Sequence, residues 1–252
     1  MCICALAIIF SCSQVSAFFM NRDNAYLYSA DVDSAGRTYL GDMGRFSPTD
    51  IAYDGTNLYA ITFDYLYVVD PSDASATFIG SHGQSGMNAL AYNYSNGLMY
   101  GASTNGELGT LTTGGTYTSI GYFGSGITSS GDLAFAEDGT LYATVNYQNG
   151  VDHLAMINTT TGAATIIGSL GRDNVYGLFF ENGQLYGLTE SGVLLSINPS
   201  TGASTAIRDY GTGNHWGAAG DDHPPVPEPS TMLLLAAGLV GLAGFRMKLS
   251  RA

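Results

Sequence analysis

Two aspartates, Asp50 and Asp132, stand at matching places in the chain, ahead of Ile51-Ala52-Tyr53 and Leu133-Ala134-Phe135 respectively. Two carboxyl groups held across one cavity are what a glycosidase uses: one protonates the leaving oxygen, and the other activates water or attacks the sugar. The aspartates close the pairs Thr49-Asp50 and Gly131-Asp132, whose counterparts in the other copies are Asn88-Ala89, Tyr176-Gly177 and Trp216-Gly217, with His215 adjoining the last. Aromatic rings beside amides and carboxylates suit a pyranose, which offers an apolar face for stacking and hydroxyls for hydrogen bonds. Each residue also has a plainer role. Repetition alone puts like side chains at like places, aspartate oxygens cap turn amides, and large rings fill the gaps between packed layers. The sequence therefore assigns no catalytic residue. It leaves Asp50 and Asp132 as the candidates for an acid pair, and Tyr176, His215, Trp216 and Asn88 as candidate ligand contacts.

Other chemistry is sparse. His82, His153, His215 and His223 lack the close spacing of zinc ligands. Asp31-Val32-Asp33-Ser34 opens like a calcium loop but has neither the third oxygen ligand nor the distal glutamate, and reads better as a hairpin turn. No serine sits in a nucleophile elbow, and no phosphate loop is present. Neither metal nor cofactor is expected. The net charge of −13 is concentrated in residues 18–222, which carry five arginines, no lysine and twenty carboxylates. Such a body repels nucleic acid and anionic membrane, and tolerates cations or neutral polymers.

The elements that position these residues repeat. Asp50-Ile51-Ala52-Tyr53 with Leu58-Tyr59-Ala60 recurs as Ala89-Leu90-Ala91-Tyr92 with Met99-Tyr100-Gly101. It returns as Asp132-Leu133-Ala134-Phe135 with Leu141-Tyr142-Ala143, and again as Gly177-Leu178-Phe179-Phe180 with Leu185-Tyr186-Gly187. Ile51, Leu90, Leu133 and Leu178 lie 39, 43 and 45 residues apart. Period-two alternation broken by Asp-Gly, Asn-Gly and Pro-Ser-Thr-Gly turns gives four short strands per copy, and that at a period near forty is a propeller blade.

The ends of the body predict closure. Tyr26-Leu27-Tyr28 through Leu40-Gly41 aligns without gaps on Tyr65-Leu66-Tyr67 through Ile79-Gly80, so the chain begins in the outer half of a blade. Trp216-Gly217-Ala218-Ala219 matches Tyr176-Gly177-Leu178-Phe179, an innermost strand with nothing after it. Joining these ends, with Phe18 to Asn21 as the second strand, completes a fifth blade and removes two open sheet edges. The expected fold is an all-β five-bladed propeller. The pattern is similar to many secreted bacterial propellers and singles out none of them.

The termini carry an address. Pro227 and Pro229 keep the chain extended before Ser230 and Thr231, which can cap a helix. Thr231 to Phe245 is uncharged, and its fifteen residues span roughly 22 Å as a helix, short of the roughly 30 Å hydrocarbon core. Snorkelling Arg246 and Lys248 stretch it to a marginal span, and the terminal basic residues place it inside-last. Val226-Pro227-Glu228-Pro229-Ser230-Thr231, the Leu- and Gly-rich run and the basic end resemble the PEP-CTERM sorting signal. That resemblance implies export from a Gram-negative bacterium, processing by an exosortase at or near Pro227-Glu228-Pro229, and delivery to the cell surface or an exopolysaccharide matrix. At the other end, apolar Cys2–Cys12 and the small-residue site Val15-Ser16-Ala17 predict a signal peptide for the Sec export machinery, cut between Ala17 and Phe18.

The expected organisation is a signal peptide over 1–17, the propeller over 18–222, a linker over 223–230 and a transmembrane helix with basic tail over 231–252. All three cysteines fall in the signal segment, so the body is thiol-free. Two functions fit: a non-enzymatic surface or matrix protein binding polysaccharide or protein, and an extracellular carbohydrate-active enzyme working through Asp50 and Asp132.

Overall fold

A computed structural model describes residues 17–220, apart from Arg45 and Asn149. The twenty strands in this range form five four-stranded antiparallel sheets, the blades of a propeller. In chain order the first blade is Asp50–Tyr53, Leu58–Ile61, Tyr65–Val69 and Ala76–Ser81. The second is Met87–Asn93, Leu98–Ser103, Glu107–Leu111 and Tyr117–Tyr122. The third is Ile127–Phe135, Leu141–Tyr147, His153–Ile157 and Ala164–Ser169, and the fourth Val175–Glu181, Gln184–Thr189, Val193–Ile197 and Ser204–Asp209. Within each blade the strands follow sequence order outward from the axis.

The fifth blade closes the ring as the repeat alignment predicts. Its innermost strand is the C-terminal His215–Gly220, followed outward by Ala17–Arg22, Tyr26–Asp31 and Arg37–Asp42. The second strand is one residue longer at each end than the expected Phe18 to Asn21. Phe18 pairs with Gly220 on one side and Ala30 on the other, and its side chain is fully buried. The signal segment before Ala17, the Pro227-Glu228-Pro229 linker and the expected transmembrane helix lie outside the described residues. Among the described residues no helix is long and apolar enough to cross a membrane.

Strand alternation dictates the core. Side chains on the two faces of each sheet meet those of the neighbouring blades, so the apolar interior divides into five clusters, one per seam. A bulge recurs where the third strand of each blade meets the fourth, after Leu27, Leu66, Leu108, Leu154 and Leu194. An extra residue here sharpens the right-handed twist that blades need to fan around an axis. In four blades the residue opposite that leucine is glycine: Gly41, Gly80, Gly121 and Gly168. A Cβ on Gly121 or Gly168 would collide with the carbonyl of Thr161 or Thr201 in the next blade. The fourth blade differs. It has Arg208 opposite Leu194, and this guanidinium reaches across the last seam to the Asp33 carbonyl at 2.8 Å.

Candidate functional site

The five innermost strands start at the same end of the channel, and the residues entering them surround a cavity of about 520 Å3. Thr49, Asn88, Gly131, Tyr176 and Trp216, one from each blade, line it. Arg22 at the end of the closing strand, with Asp23 and Asn24 in the turn after it, adds a wall. Phe63 and Thr104 add another, from the turns between second and third strands of the first two blades. The Tyr176 and Trp216 rings are stacked, with centroids 5.7 Å apart and planes 8° from parallel. The Tyr176 hydroxyl donates to Asn174 Oδ1 at 3.1 Å, and burial raises its pKa. Asn88 Oδ1 is buried without a hydrogen-bond partner, whereas Thr49 Oγ1 donates to the Ile61 and Met87 carbonyls. The mouth thus combines an aromatic plate, amide and hydroxyl groups, one cation and one half-buried carboxylate.

Sequence reasoning placed Asn88, Tyr176 and Trp216 here, and they meet. His215 does not line the cavity: its side chain is buried, with Nδ1 3.1 Å from the Glu190 carbonyl. Burial lowers its pKa. The neutral ring donates Nδ1–H to Glu190 and leaves a lone pair on Nε2, which has no partner. Arg22, Phe63 and Thr104 were not foreseen. The signal for the last two was their place in equivalent turns at the end of the blade where the inner strands begin.

Asp50 and Asp132 converge, but below the mouth rather than in it. Both are completely buried, neither lines the cavity, and their side chains share a hydrogen bond. Asp50 accepts the N–H of Ile51 at 2.8 Å and of Leu90 at 2.7 Å. Asp132 accepts those of Leu133 at 2.6 Å, Leu178 and Ala218. These five amides come from the innermost strands of all five blades. The pair is a hub that ties the ring together at its axis.

A hydrogen bond between two carboxyl groups needs a proton. Burial, then the Asp132 charge, pushes the Asp50 pKa well above the usual carboxylate range. Burial also raises that of Asp132, but the Asp50 hydrogen bond and the strand amides oppose the rise. The consistent state is one proton held between the two carboxyls. Packing around the hub leaves no slack, since a Cβ on Gly217 would collide with Asp50 Oδ1 and crowd Asn21 Oδ1. Gly217→Ala is therefore expected to cost about 1–3 kcal/mol by overpacking, read as a lowered thermal unfolding midpoint.

Two further aspartates take structural roles. Asp152 Oδ2 accepts the Val175 N–H at 2.8 Å, joining the third and fourth blades. Asp31 Oδ1 accepts the Asp33 N–H and the Asp31 carbonyl accepts Ser34 N–H, so that stretch is a hairpin turn. Among the described residues no three His, Cys, Asp or Glu side chains gather where they could hold a metal ion.

Fold and tail together define the class: a five-bladed β-propeller that carries an export address. Residues 225–248 match the PEP-CTERM protein-sorting motif, which implies an exported protein processed by an exosortase. Residues 46–220 match the family described as a repeat of unknown function (DUF6923), and the chain belongs to that family. No curated protein sequence matches it. Solved structures share the fold at low identity. A nidogen/laminin complex chain is 12% identical with a TM-score of 0.54, over 81% of this chain and 85% of that one. A protein of unknown function from Bacteroides thetaiotaomicron is 13% identical with a TM-score of 0.55; the match covers 79% of this chain and 56% of that protein.

Proposed function

We propose that the propeller is a non-enzymatic binding module that takes a polysaccharide segment into the cavity at its channel mouth. The observation that carries this reading is the stacked Tyr176–Trp216 plate in the wall of a 520 Å3 cavity, beside the unpartnered Asn88 oxygen. Stacked rings hold one orientation at little entropic cost, and a sugar's apolar face lies on such a plate while its hydroxyls find amide partners. The hub supports the non-enzymatic half of the reading. A glycosidase keeps its two carboxyls roughly 5–10 Å apart around the scissile bond, whereas Asp50 and Asp132 are hydrogen-bonded to each other and sealed below the mouth. The sorting motif suggests where the ligand is met. On this reading the 231–252 segment holds the protein in the inner membrane of a Gram-negative cell until an exosortase cuts near Pro227-Glu228-Pro229. The ring then reaches the surface or an exopolysaccharide matrix.

A glycan and polysaccharide array probed with residues 17–222 tests the reading, since every strand needed for closure lies within that range. Binding is expected, and Trp216→Ala should weaken it at least about ten-fold, because losing an aromatic platform costs on the order of 1–3 kcal/mol. Failure to bind any glycan would sink the proposal. Hydrolysis of a bound glycan that disappears in Asp132→Asn would replace it with an enzymatic one.

A further inference from the structure

The seam between the fourth blade and the closing blade gathers most of the described positive charge. Arg22, Arg37 and Arg208 all lie on it, three of the four arginines among the described residues. The Arg22 and Arg37 guanidinium carbons sit 5.7 and 5.1 Å from the centroid of one ring, Tyr28. His215 feels both arginines as repulsive neighbours. Arg208 is occupied by the Ile207 and Asp33 carbonyls. The other three are not fully used: Arg22 Nε, Arg37 Nη1 and His215 Nε2 are all buried with no hydrogen-bond partner. Buried guanidinium nitrogens left unpaired are expensive, since polar groups removed from water are nearly always hydrogen-bonded. Three such atoms in one seam mark a place shaped for a group that is not part of the seam.

Arg22 links this place to the mouth, because the same side chain lines the cavity. Its Nη2 is held by a single neutral acceptor, the Thr212 carbonyl, at 2.6 Å. An anion exchanging with that carbonyl turns a bond with one charged partner into an ion pair with two. It also gives Arg37 an acceptor. The Nε2 lone pair of neutral His215 asks for the opposite, a donor such as a hydroxyl. One ligand class supplies both within a single ring: a sugar acid, with a carboxylate for the arginines and hydroxyls for the histidine.

We propose that the mouth ligand is an acidic saccharide, its sugar rings on the Tyr176–Trp216 plate and its carboxylate between Arg22 and Arg37. This rests on the reading of the mouth as a saccharide site. The net negative charge of the body opposes an acidic polymer at long range, so selectivity comes from these local donors and fades little with salt once bound. Oligomers fit better than long polyanions for the same reason.

Calorimetric titration of the full chain tests it, using an oligosaccharide of uronic acids and the neutral oligosaccharide of the same linkage and length. Wild type is expected to bind the acidic one at least ten-fold tighter. Arg37→Gln should bring the two affinities together, with the neutral affinity as internal reference, and Arg37→Lys should recover part of the preference. Circular dichroism confirms that each variant is folded. Equal affinities in wild type, or a preference that survives both Arg37→Gln and Arg22→Gln, overturn the proposal. If neither saccharide binds, the mouth reading fails by itself, and inorganic sulfate decides the anion site. Sulfate must raise the unfolding midpoint of wild type above that in chloride of equal ionic strength, and must do so less in Arg37→Gln. No such difference overturns the site.

Discussion

Asp132→Ala is expected to open the ring. The substitution strands the N–H groups of Leu133, Leu178 and Ala218 and deprives Asp50 of its partner, all at the buried axis. A buried donor left without an acceptor costs about 1–3 kcal/mol. Three such donors, plus an orphaned carboxyl, consume most of the roughly 5–15 kcal/mol by which a domain is stable. Denaturant unfolding should show the variant largely unfolded or aggregated in buffer. Asp132→Asn is milder: it keeps the shape and one acceptor oxygen but turns an NH2 group toward a strand amide, so it should fold with a clear loss of stability. If Asp132→Ala unfolds at the same denaturant concentration as wild type, the hub is not what holds the blades.

The hub also gives stability a pH dependence with a definite sign. Both carboxyls have folded pKa values above their unfolded ones. Their contribution is therefore complete below about pH 4 and is lost as pH rises through the folded values, because the unfolded chain releases those protons more readily. Asp50→Asn removes the need for the shared proton, and flattens the decline toward alkaline pH at the expense of one strand hydrogen bond.

The repeat made the fold legible. Leucine-tyrosine alternation and glycine turns at a period near forty fix four strands per unit, and two half-units at the ends can be satisfied only by joining them. The rim of the mouth was legible for the same reason: Asn88, Tyr176 and Trp216 hold equal places in their blades, and a closed ring brings equal places together. The aspartates sit one residue further along: Asp50 and Asp132 align with Ala89, Gly177 and Gly217, whereas Asn88 aligns with Thr49, Gly131, Tyr176 and Trp216. Strand alternation therefore turns the aspartates to the strand amides and leaves Asn88 at the mouth. What repetition does not encode is the last seam. Arg208 stands where the other blades have glycine, and Arg22 and Arg37 are more than a hundred residues away in sequence. Their convergence exists only after the chain ends are joined.

That junction sets the second large effect, Phe18→Asp. Phe18 is completely buried in the seam cluster, its ring stacked on Phe179 at 4.3 Å and edge-on to Tyr210 at 5.7 Å. Removing a buried phenylalanine to alanine costs about 3–5 kcal/mol. Aspartate adds the burial of an unpaired charge in a cluster of Met20, Leu188 and Leu194. Among the described residues, the strand carrying it, Ala17–Arg22, is the only element bonded to both His215–Gly220 and Tyr26–Asp31. Weakening it exposes two strand edges at once, and exposed edges recruit other chains. The expected outcome is aggregation, with hydrogen exchange in 215–220 and 26–31 rising before that in the second blade, which sits across the ring. The experiment also bears on the expected signal-peptide site between Ala17 and Phe18. A cut there would cost the closing strand only one residue, whereas a cut a few residues later would remove Phe18 itself and mimic the substitution. If Phe18→Asp left the ring as stable as wild type, closure would have to rest on the outer strands.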